Sequence, residues 1–461
     1  MLYQNWMLGH RVELPEMLDG RERRALVQRR LLENYQKTLV CFTLNIAGPV
    51  KVFPLSEEAF SIGRQRIGDA LERAGMRVVE EEVLSCAYGT ESYWVVQENA
   101  LEVKRVLTEI EEKTPLGRLF DIDVLWPDGS KVSRQDIGYS PRTCIICGEP
   151  ASDCAGGRVH SVDELQKKTT EIIADEIRRI GVSPQMAGRV CRMAMLHEVY
   201  TTPKPGLVDQ NNTGSHRDMD VELFEKSARV LESYFVRCVE VGEENASLPP
   251  HCLLKELRPL GIQAERDMFQ ATGGINTHKG MIFSLGILCG ALGQFLGRGE
   301  KPDTASLCKR AGEVAYPALE KDLAELKMRP AQTAGERQFA AHGIAGIRGE
   351  AAGGFPSVQE YGLPVLQREM AAGAGLYRAG AVTLLYLIAN VVDTNMISRS
   401  SYQVQQELQD QVAELLEKDS SPTDEEILAL DGLFIEKNVS PGGCADLLAI
   451  SYFLLFLEEI L

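Results

Sequence analysis

The chain has 461 residues, 44% hydrophobic and 25% charged, with a formal net charge of −17. That length is too great for one ordinary core, so two or more domains are expected, and the composition is that of a globular protein with large cores to bury. The acidic balance excludes a general nucleic-acid binder, whose footprint is basic, but leaves room for phosphate ligands held by local cations.

In chain order, MLYQNWMLGHRVELPE lacks a basic segment followed by an apolar stretch, so no signal peptide is expected. The next stretches mix two periodicities. RERRALVQRRLLENYQ, EEAFSIGRQRIGDALERAG and ALEVKRVLTEIEEK repeat as helices, whereas TLVCFTLNI, RVVEEEVLSCAYG and ESYWVVQ carry the β-branched and aromatic residues of strands. LFDIDVLW, PDG and SKVS read as strand, turn and strand. This predicts an α+β domain over residues 1–162. From residue 163 to 461 helical patterns follow one another without a convincing strand, which predicts an all-α helical bundle. GMIFSLGILCGALGQFLG is long enough to span a membrane, but its five glycines, its Gln and its polar entrance favour a buried core helix. GAVTLLYLIANVV and LLAISYFLLFL are too short to span, so no membrane is expected as a partner.

Several constellations stand out in the first half. Asp121 and Asp123 lie two apart in a predicted strand, so both carboxylates share one face, as a Mg²⁺ on a triphosphate requires. Arg118 precedes them and could grip phosphate oxygens; the bland reading is a solvent-facing alternation. TLNIAGPVK supplies Asn45, a Gly-Pro turn and the cation Lys51. Cys144, Cys147, Cys154 and His160 could close a structural Zn²⁺ site, against free thiols packed under a loop. The eleven cysteines, odd in number and scattered, otherwise fit a reducing cytoplasm.

In the second half, TTPKPGLVDQNNTGSHRDMD crowds Lys204, Asp209, Asn212, His216, Asp218 and Asp220 into one loop, a density that costs order unless something binds it. One of the last two aspartates could simply cap a helix. GGINTHKG places Gly273, Gly274, Asn276, His278 and Lys279 at a helix entrance, a natural anion site. Glu265 is a candidate base or ligand, or a surface charge. HGIAGIRGEAAGG adds His342, Arg348 and Glu350; VVDTNMISR adds Asp393, Asn395 and Arg399, which either face a cavity or close a helix. SPGGCADLL reads as the capped entry of the last helix. No nucleophilic cysteine or serine sits in a recognisable setting, which favours transfer between two bound substrates.

These motifs carry a resemblance. FTLNIAGPVK, LGRLFDIDVL and R-x-C-x-x-C…A-x-x-C…H, within residues 22–161, resemble the apo-citrate lyase phosphoribosyl-dephospho-CoA transferase (holo-citrate lyase synthase) family. TPKPGLVD, NTGSHRDMD, GGINTHKGMIFSLG, HGIAGIRGEA, DTN and SPGGCADLL, within 185–461, resemble the triphosphoribosyl-dephospho-CoA synthase family. The resemblance implies a cytoplasmic bifunctional transferase with a nucleotidyltransferase-like mixed sheet in its first domain. Its substrates would be ATP, 3′-dephospho-CoA and the citrate lyase acyl carrier protein. The second domain would transfer triphosphoribose from ATP to dephospho-CoA with loss of adenine. Lys204, Gly273, Gly274, Lys279 and Arg348 would hold the triphosphate, Asp218 and Asp220 the Mg²⁺, and Asp209, His216 or Glu265 would act as base. The first domain would pass the product to a carrier-protein serine with loss of pyrophosphate, Asp121 and Asp123 binding metal and Arg118 phosphate. The chain departs from the family at Ala47, Thr114 and Gly156, and at Ser400 and Ser401, which puts activity of the first domain in question. A nucleotide hydrolase or kinase using the same loops, and a non-catalytic carrier-protein chaperone, stay as alternatives.

Overall fold

The computed structural model describes residues 3–326, 331 and 334–461; the side chain of His342 lies outside the described residues. The chain divides into two compact units, Met1–Ile180 and Gly181–Leu461.

After a short helix, Tyr3–Trp6, the first unit runs through α1 (Leu14–Tyr35), β1 (Thr38–Leu44), α2 (Pro54–Arg73), β2 (Val78–Cys86), β3 (Gly89–Val96), α3 (Ala100–Lys113) and β4 (Phe120–Leu125). The sheet order is β2-β3-β1-β4, and every neighbouring pair is antiparallel. Each helical crossover skips one strand: α2 carries β1 to β2 with β3 between them, and α3 carries β3 to β4 with β1 between them. This is the split βαββαβ topology. It corrects the expected mixed sheet, because each strand that would pair in parallel is separated from its mate by a strand running the other way. SKVS, expected as a fifth strand, makes only one bridge, Leu125 to Lys131, beyond the turn closed by the Trp126 N–H on the Ser130 carbonyl.

Alternation sets the two faces of the sheet. Leu39, Cys41, Tyr93, Val95 and Leu125 pack under Val27, Leu31 and Leu32 of α1. Phe42 faces the other way and stacks on Phe60 of α2 with ring centroids 5.0 Å apart. The last helix of this unit, α4 (Val162–Ile180), buries Ile172, Ile173 and Ile177. Its Glu176 meets Arg66 of α2, and its Gln166 amide donates to the Ala47 carbonyl at 3.3 Å. The units therefore divide at Ile180–Gly181, later than the expected 162–163. The sequence marks α4 as an amphipathic helix but does not say which core takes its apolar face.

The second unit contains α5 (Pro184–Tyr200), α6 (Val221–Glu244), α7 (Pro250–Ala271), α8 (Lys279–Leu296), α9 (Thr304–Leu326), α10 (Gly346–Ala352), α11 (Leu363–Ala371), α12 (Leu376–Asn390), α13 (Thr394–Arg399), α14 (Tyr402–Lys418), α15 (Asp424–Glu436) and α16 (Gly442–Ile460). It holds no strand among the described residues. Helices α8, α12 and α16 are apolar on nearly every side, as the sequence suggested for core helices. Helix α8 is the one helix among the described residues long and apolar enough to cross a membrane, yet 78% of it is buried inside the protein.

The glycines of α8 are set by packing. A Cβ on Gly293 would lie 2.0 Å from the Val239 carbonyl oxygen, and one on Gly242 of α6 would lie 2.2 Å from the Gly290 carbonyl oxygen. Backbone therefore meets backbone where α6 crosses α8, and any side chain there would push the helices apart.

Candidate functional sites

In the first unit, Asp121 lies opposite Thr43, and Asp123 opposite Cys41. Both carboxylates thus stand on the α1 side of the sheet, half-buried. Asp123 forms an ion pair with Lys131 at 2.5 Å. Neighbouring β3 contributes Glu91, which is 2% exposed and accepts from Arg24 of α1 at 2.8 Å and from the Tyr93 hydroxyl. Burial opposes the shift, but Glu91, then Tyr93 and Asp121, raise the Arg24 pKa. Burial, then Glu91, raises the Tyr93 phenol pKa far above its ordinary value. Glu91 was not singled out in the sequence; its place two residues before buried Tyr93 on the same face is the signal that marks it.

Arg118 is turned to another partner. Its guanidinium donates to the Thr143 carbonyl and, at 2.9 Å, to the Thr143 hydroxyl. Arg142 donates to the Phe120 carbonyl at 2.7 Å and to buried Glu111. Lys51 caps the Ile46 carbonyl at 2.6 Å, its pKa lowered by burial; Asn45 is exposed. Of the family departures, Thr114 accepts from Arg66 at 3.0 Å and the Gly117 N–H at 3.2 Å, while Gly156 faces open space. Cys144, Cys147, Cys154 and His160 converge, with all four ligand atoms within 4.8 Å of one another.

In the second unit, the loop after α5 is organised by buried acids. Asp209 is 3% exposed and accepts the Lys204, Asn211 and Asn212 N–H groups at 3.0, 2.7 and 3.1 Å. Burial nevertheless raises its pKa. Asp431 of α15 accepts the Gly206 N–H and the Asn212 amide, both at 2.8 Å. Lys204 is 1% exposed, and its ammonium is committed to the Glu198 carboxylate at 2.5 Å and the Glu198 carbonyl at 2.8 Å. Asp220 caps α6 through the Leu223 N–H at 2.9 Å, while Asp218 is exposed.

The two histidines are held neutral. Arg399 donates to His216 Nδ1 at 2.9 Å, and an arginine cannot accept. His216 Nε2 must therefore carry the proton and donate to Ser440 Oγ, 2.9 Å away. Burial, then Arg399, lowers its pKa to about 4. Both ring nitrogens are occupied, so His216 is poorly placed to take a substrate proton. His278 is 4% exposed, and its Nδ1 lies 2.7 Å from Ser227 Oγ. Thr277 donates to that same oxygen at 2.7 Å, so the Ser227 proton is free to go to Nδ1. His278 Nε2–H then remains as a buried donor without a partner. Burial, then the charge of Lys204, lowers the His278 pKa to about 3.

The rest of GGINTHKG divides its work. Gly273 and Gly274 adopt φ of +65° and +92° and end α7, the Gly274 N–H bonding the Phe269 carbonyl at 2.7 Å. Both face open space. Asn276 accepts the Lys279 N–H at 3.2 Å, and Lys279, half exposed, pairs with Glu265 at 2.8 Å. The key neighbour comes from the other end of the chain. A Cβ on Gly280 would lie 1.8 Å from Asp446 Oδ2, so the Asp446 carboxylate of α16 rests on the bare first turn of α8. Asp446 has no hydrogen-bond partner among the described residues. Desolvation, then Glu198 and Asp393, pushes its pKa well above the usual carboxylate range. Asp393 caps two helices, accepting the Asn395 N–H at 2.7 Å and the Cys444 N–H at 2.9 Å. Asn395 is exposed, its amide beside Gly442. Arg348 is exposed, 5.9 Å from the Phe283 ring centroid, and Glu350 accepts from Ser357 at 2.7 Å. Ser401 caps α14.

The structure thus gathers Glu198, Lys204, His278, Asp393 and Asp446 around the start of α8 and sets Asp218 and Asp220 apart as exposed or capping groups. Sequence reading missed Glu198 and Asp446. The first lies inside a core helix; the second sits in SPGGCADLL and needed Gly280 to give it a purpose.

Each of the two units carries a cluster of acids, and both units match transferases. Residues 12–176 match the family model for apo-citrate lyase phosphoribosyl-dephospho-CoA transferase, and residues 184–461 that for ATP:dephospho-CoA triphosphoribosyl transferase. Protein CitXG of Haemophilus influenzae is 35% identical, and Protein CitXG of Leuconostoc mesenteroides 32%, each over 97% of both chains. A probable 2-(5″-triphosphoribosyl)-3′-dephosphocoenzyme-A synthase of Pectobacterium carotovorum is 41% identical over 61% of this chain and 92% of its own length. The chain belongs to the family of fused CitX–CitG proteins, bifunctional transferases of citrate lyase prosthetic-group biosynthesis.

Proposed function

We propose that the second unit joins ATP to 3′-dephospho-CoA and that the first unit attaches the product to the citrate lyase acyl carrier protein. In the first step the adenosine 2′-hydroxyl of dephospho-CoA attacks C1 of the ATP ribose. The C1–N bond to adenine breaks, adenine leaves, and the hydroxyl proton passes to a carboxylate. The observation that carries this reading is Asp446, a desolvated acid without a partner on the first turn of α8. We assign it as the base. Its raised proton affinity suits proton abstraction. The orphaned His278 Nε2–H supports a hydrogen bond to the substrate. Lys279 and Asn276, at the positive end of α8, suit the triphosphate. Lys204 acts as a positioning residue, since its charge is committed to Glu198 and keeps His278 neutral.

In the second step a carrier-protein serine attacks the α-phosphate of the product, and pyrophosphate leaves, a transfer of nucleotidyl type. The oxygen donors of Asp121 and Asp123 suit a magnesium ion, which would neutralise phosphate charge when bound. The protein's own part is to hold these acids on a rigid sheet, with Arg24 offsetting their mutual repulsion. The Lys131–Asp123 ion pair would have to open for Asp123 to take a metal.

The test follows both products. Adenine should appear from ATP only when dephospho-CoA is present, and the carrier protein should then gain the mass of the prosthetic group. Adenine release without dephospho-CoA, or ADP or inorganic phosphate instead of adenine, would overturn the first assignment. Carrier protein bound but never modified would overturn the second.

A further inference from the structure

We infer that Cys144, Cys147, Cys154 and His160 hold one structural Zn²⁺ that fastens residues 142–160 against the start of β4. The ligand atoms of three thiols and one imidazole, separated along the chain, lie within 4.8 Å of one another. Cys147 Sγ is 3.4 Å from Cys154 Sγ and 3.3 Å from His160 Nε2, so the histidine presents Nε2 to the cluster.

The surrounding backbone is built for a metal. Cys144-Ile-Ile-Cys147-Gly148 forms a tight turn in which the Gly148 N–H returns to the Cys144 carbonyl at 3.1 Å and Gly148 takes φ of +80°. That turn points the Ile146 N–H at Cys144 Sγ, 3.4 Å away, a contact suited to a thiolate. Thr143 bridges Pro150, and the Cys144 N–H bonds the Glu149 carbonyl at 2.6 Å. The short helix Ala151–Gly157 then brings Cys154 back to the first pair. Three soft thiolates and a nitrogen select zinc, and four protein ligands leave no open coordination position, so the site is structural. On binding, each thiol releases its proton to solvent and no other bond changes.

The metal has a job at the neighbouring site. Thr143, next to the first ligand, holds Arg118, and Arg142, one residue earlier, holds the Phe120 carbonyl and Glu111. Phe120 opens the strand that carries Asp121 and Asp123. A closed zinc site would thus fix the residues that support the start of β4. The metal assignment stands on geometry alone; this consequence also rests on the function proposed for the first unit.

The experiment measures metal in the full-length chain, grown with zinc and dialysed. One zinc per chain is expected, and cobalt substitution should give the intense visible bands of a tetrahedral thiolate site. Cys147→Ser with Cys154→Ser should bring the metal close to zero, while Asp121→Asn should keep it. A limited-proteolysis pattern unchanged outside residues 142–160 reports that the first unit of the double variant is folded. A metal-free wild-type chain, a Cys147–Cys154 disulfide in freshly reduced protein, or zinc retained by the double variant would overturn the site. To test its role, zinc is removed from the wild-type chain by a chelator. Faster proteolysis between residues 142 and 160, with slower modification of the carrier protein, is expected. Unchanged proteolysis and modification would overturn the link to β4 while leaving the metal count to decide the site.

Discussion

At the scale of the residue, the proposed first step turns on the contact between Gly280 and Asp446. Asp446→Asn keeps the size of the side chain and removes the base. Adenine release should fall by roughly 10²–10⁴-fold, the usual worth of general acid–base catalysis. Carrier-protein modification from supplied intermediate should be unchanged; equal loss of both activities would argue for misfolding. The histidines predict a pH effect. His216, half-buried, and His278, buried, are held neutral, with pKa values lowered to about 4 and about 3. Their contribution to stability is full above an unfolded pKa of about 6.5 and is lost as pH falls toward the folded values. The melting temperature should drop between pH 7 and 4, and His216→Gln should make that drop shallower. The loop acids, GGINTHKG and the four residues of the proposed zinc site were all legible as candidates in the sequence. Asp446 and Glu91 were not, because an acid gains its function from what packs against it, and spacing says nothing about partners on other elements.

At the scale of the element, periodicity announced each strand of the sheet, the three helices between residues 14 and 113, and the three apolar core helices. It could not give strand direction, so the split βαββαβ sheet emerged only from the pairing. SKVS failed as a strand although its residues suit one, since after the Trp126–Ser130 turn it meets β4 at one bridge. The glycines of α8 favoured a buried core helix in the sequence, and Gly286 and Gly293 proved to be where α6 lies. Gly293→Ala should therefore destabilise the second unit by about 1–3 kcal/mol, the cost of overpacking a tight core, read from chemical denaturation. Gly280→Ala should act differently. The new methyl would displace Asp446, so adenine release should collapse while the denaturation midpoint moves less than in Gly293→Ala.

At the scale of the whole molecule, composition correctly suggested two units but could not assign α4. A chain ending at Ile180 should be more stable than one ending at Ser161, which would leave Arg66 without Glu176. Limited proteolysis of the two fragments would tell them apart. With one step on each unit, as proposed, Asp446→Asn and Asp121→Asn chains should each fail alone with ATP, dephospho-CoA and carrier protein. Mixed, they should restore modification, since one supplies the intermediate that the other uses. The join between the units is short: α4 ends at Ile180 and α5 begins at Pro184. Through it, every ribosome that makes one catalyst makes the other, so the maker and the user of the intermediate cannot differ in abundance. The standing level of that intermediate then depends on the relative speed of the two sites, a ratio written into the protein and beyond the reach of gene expression.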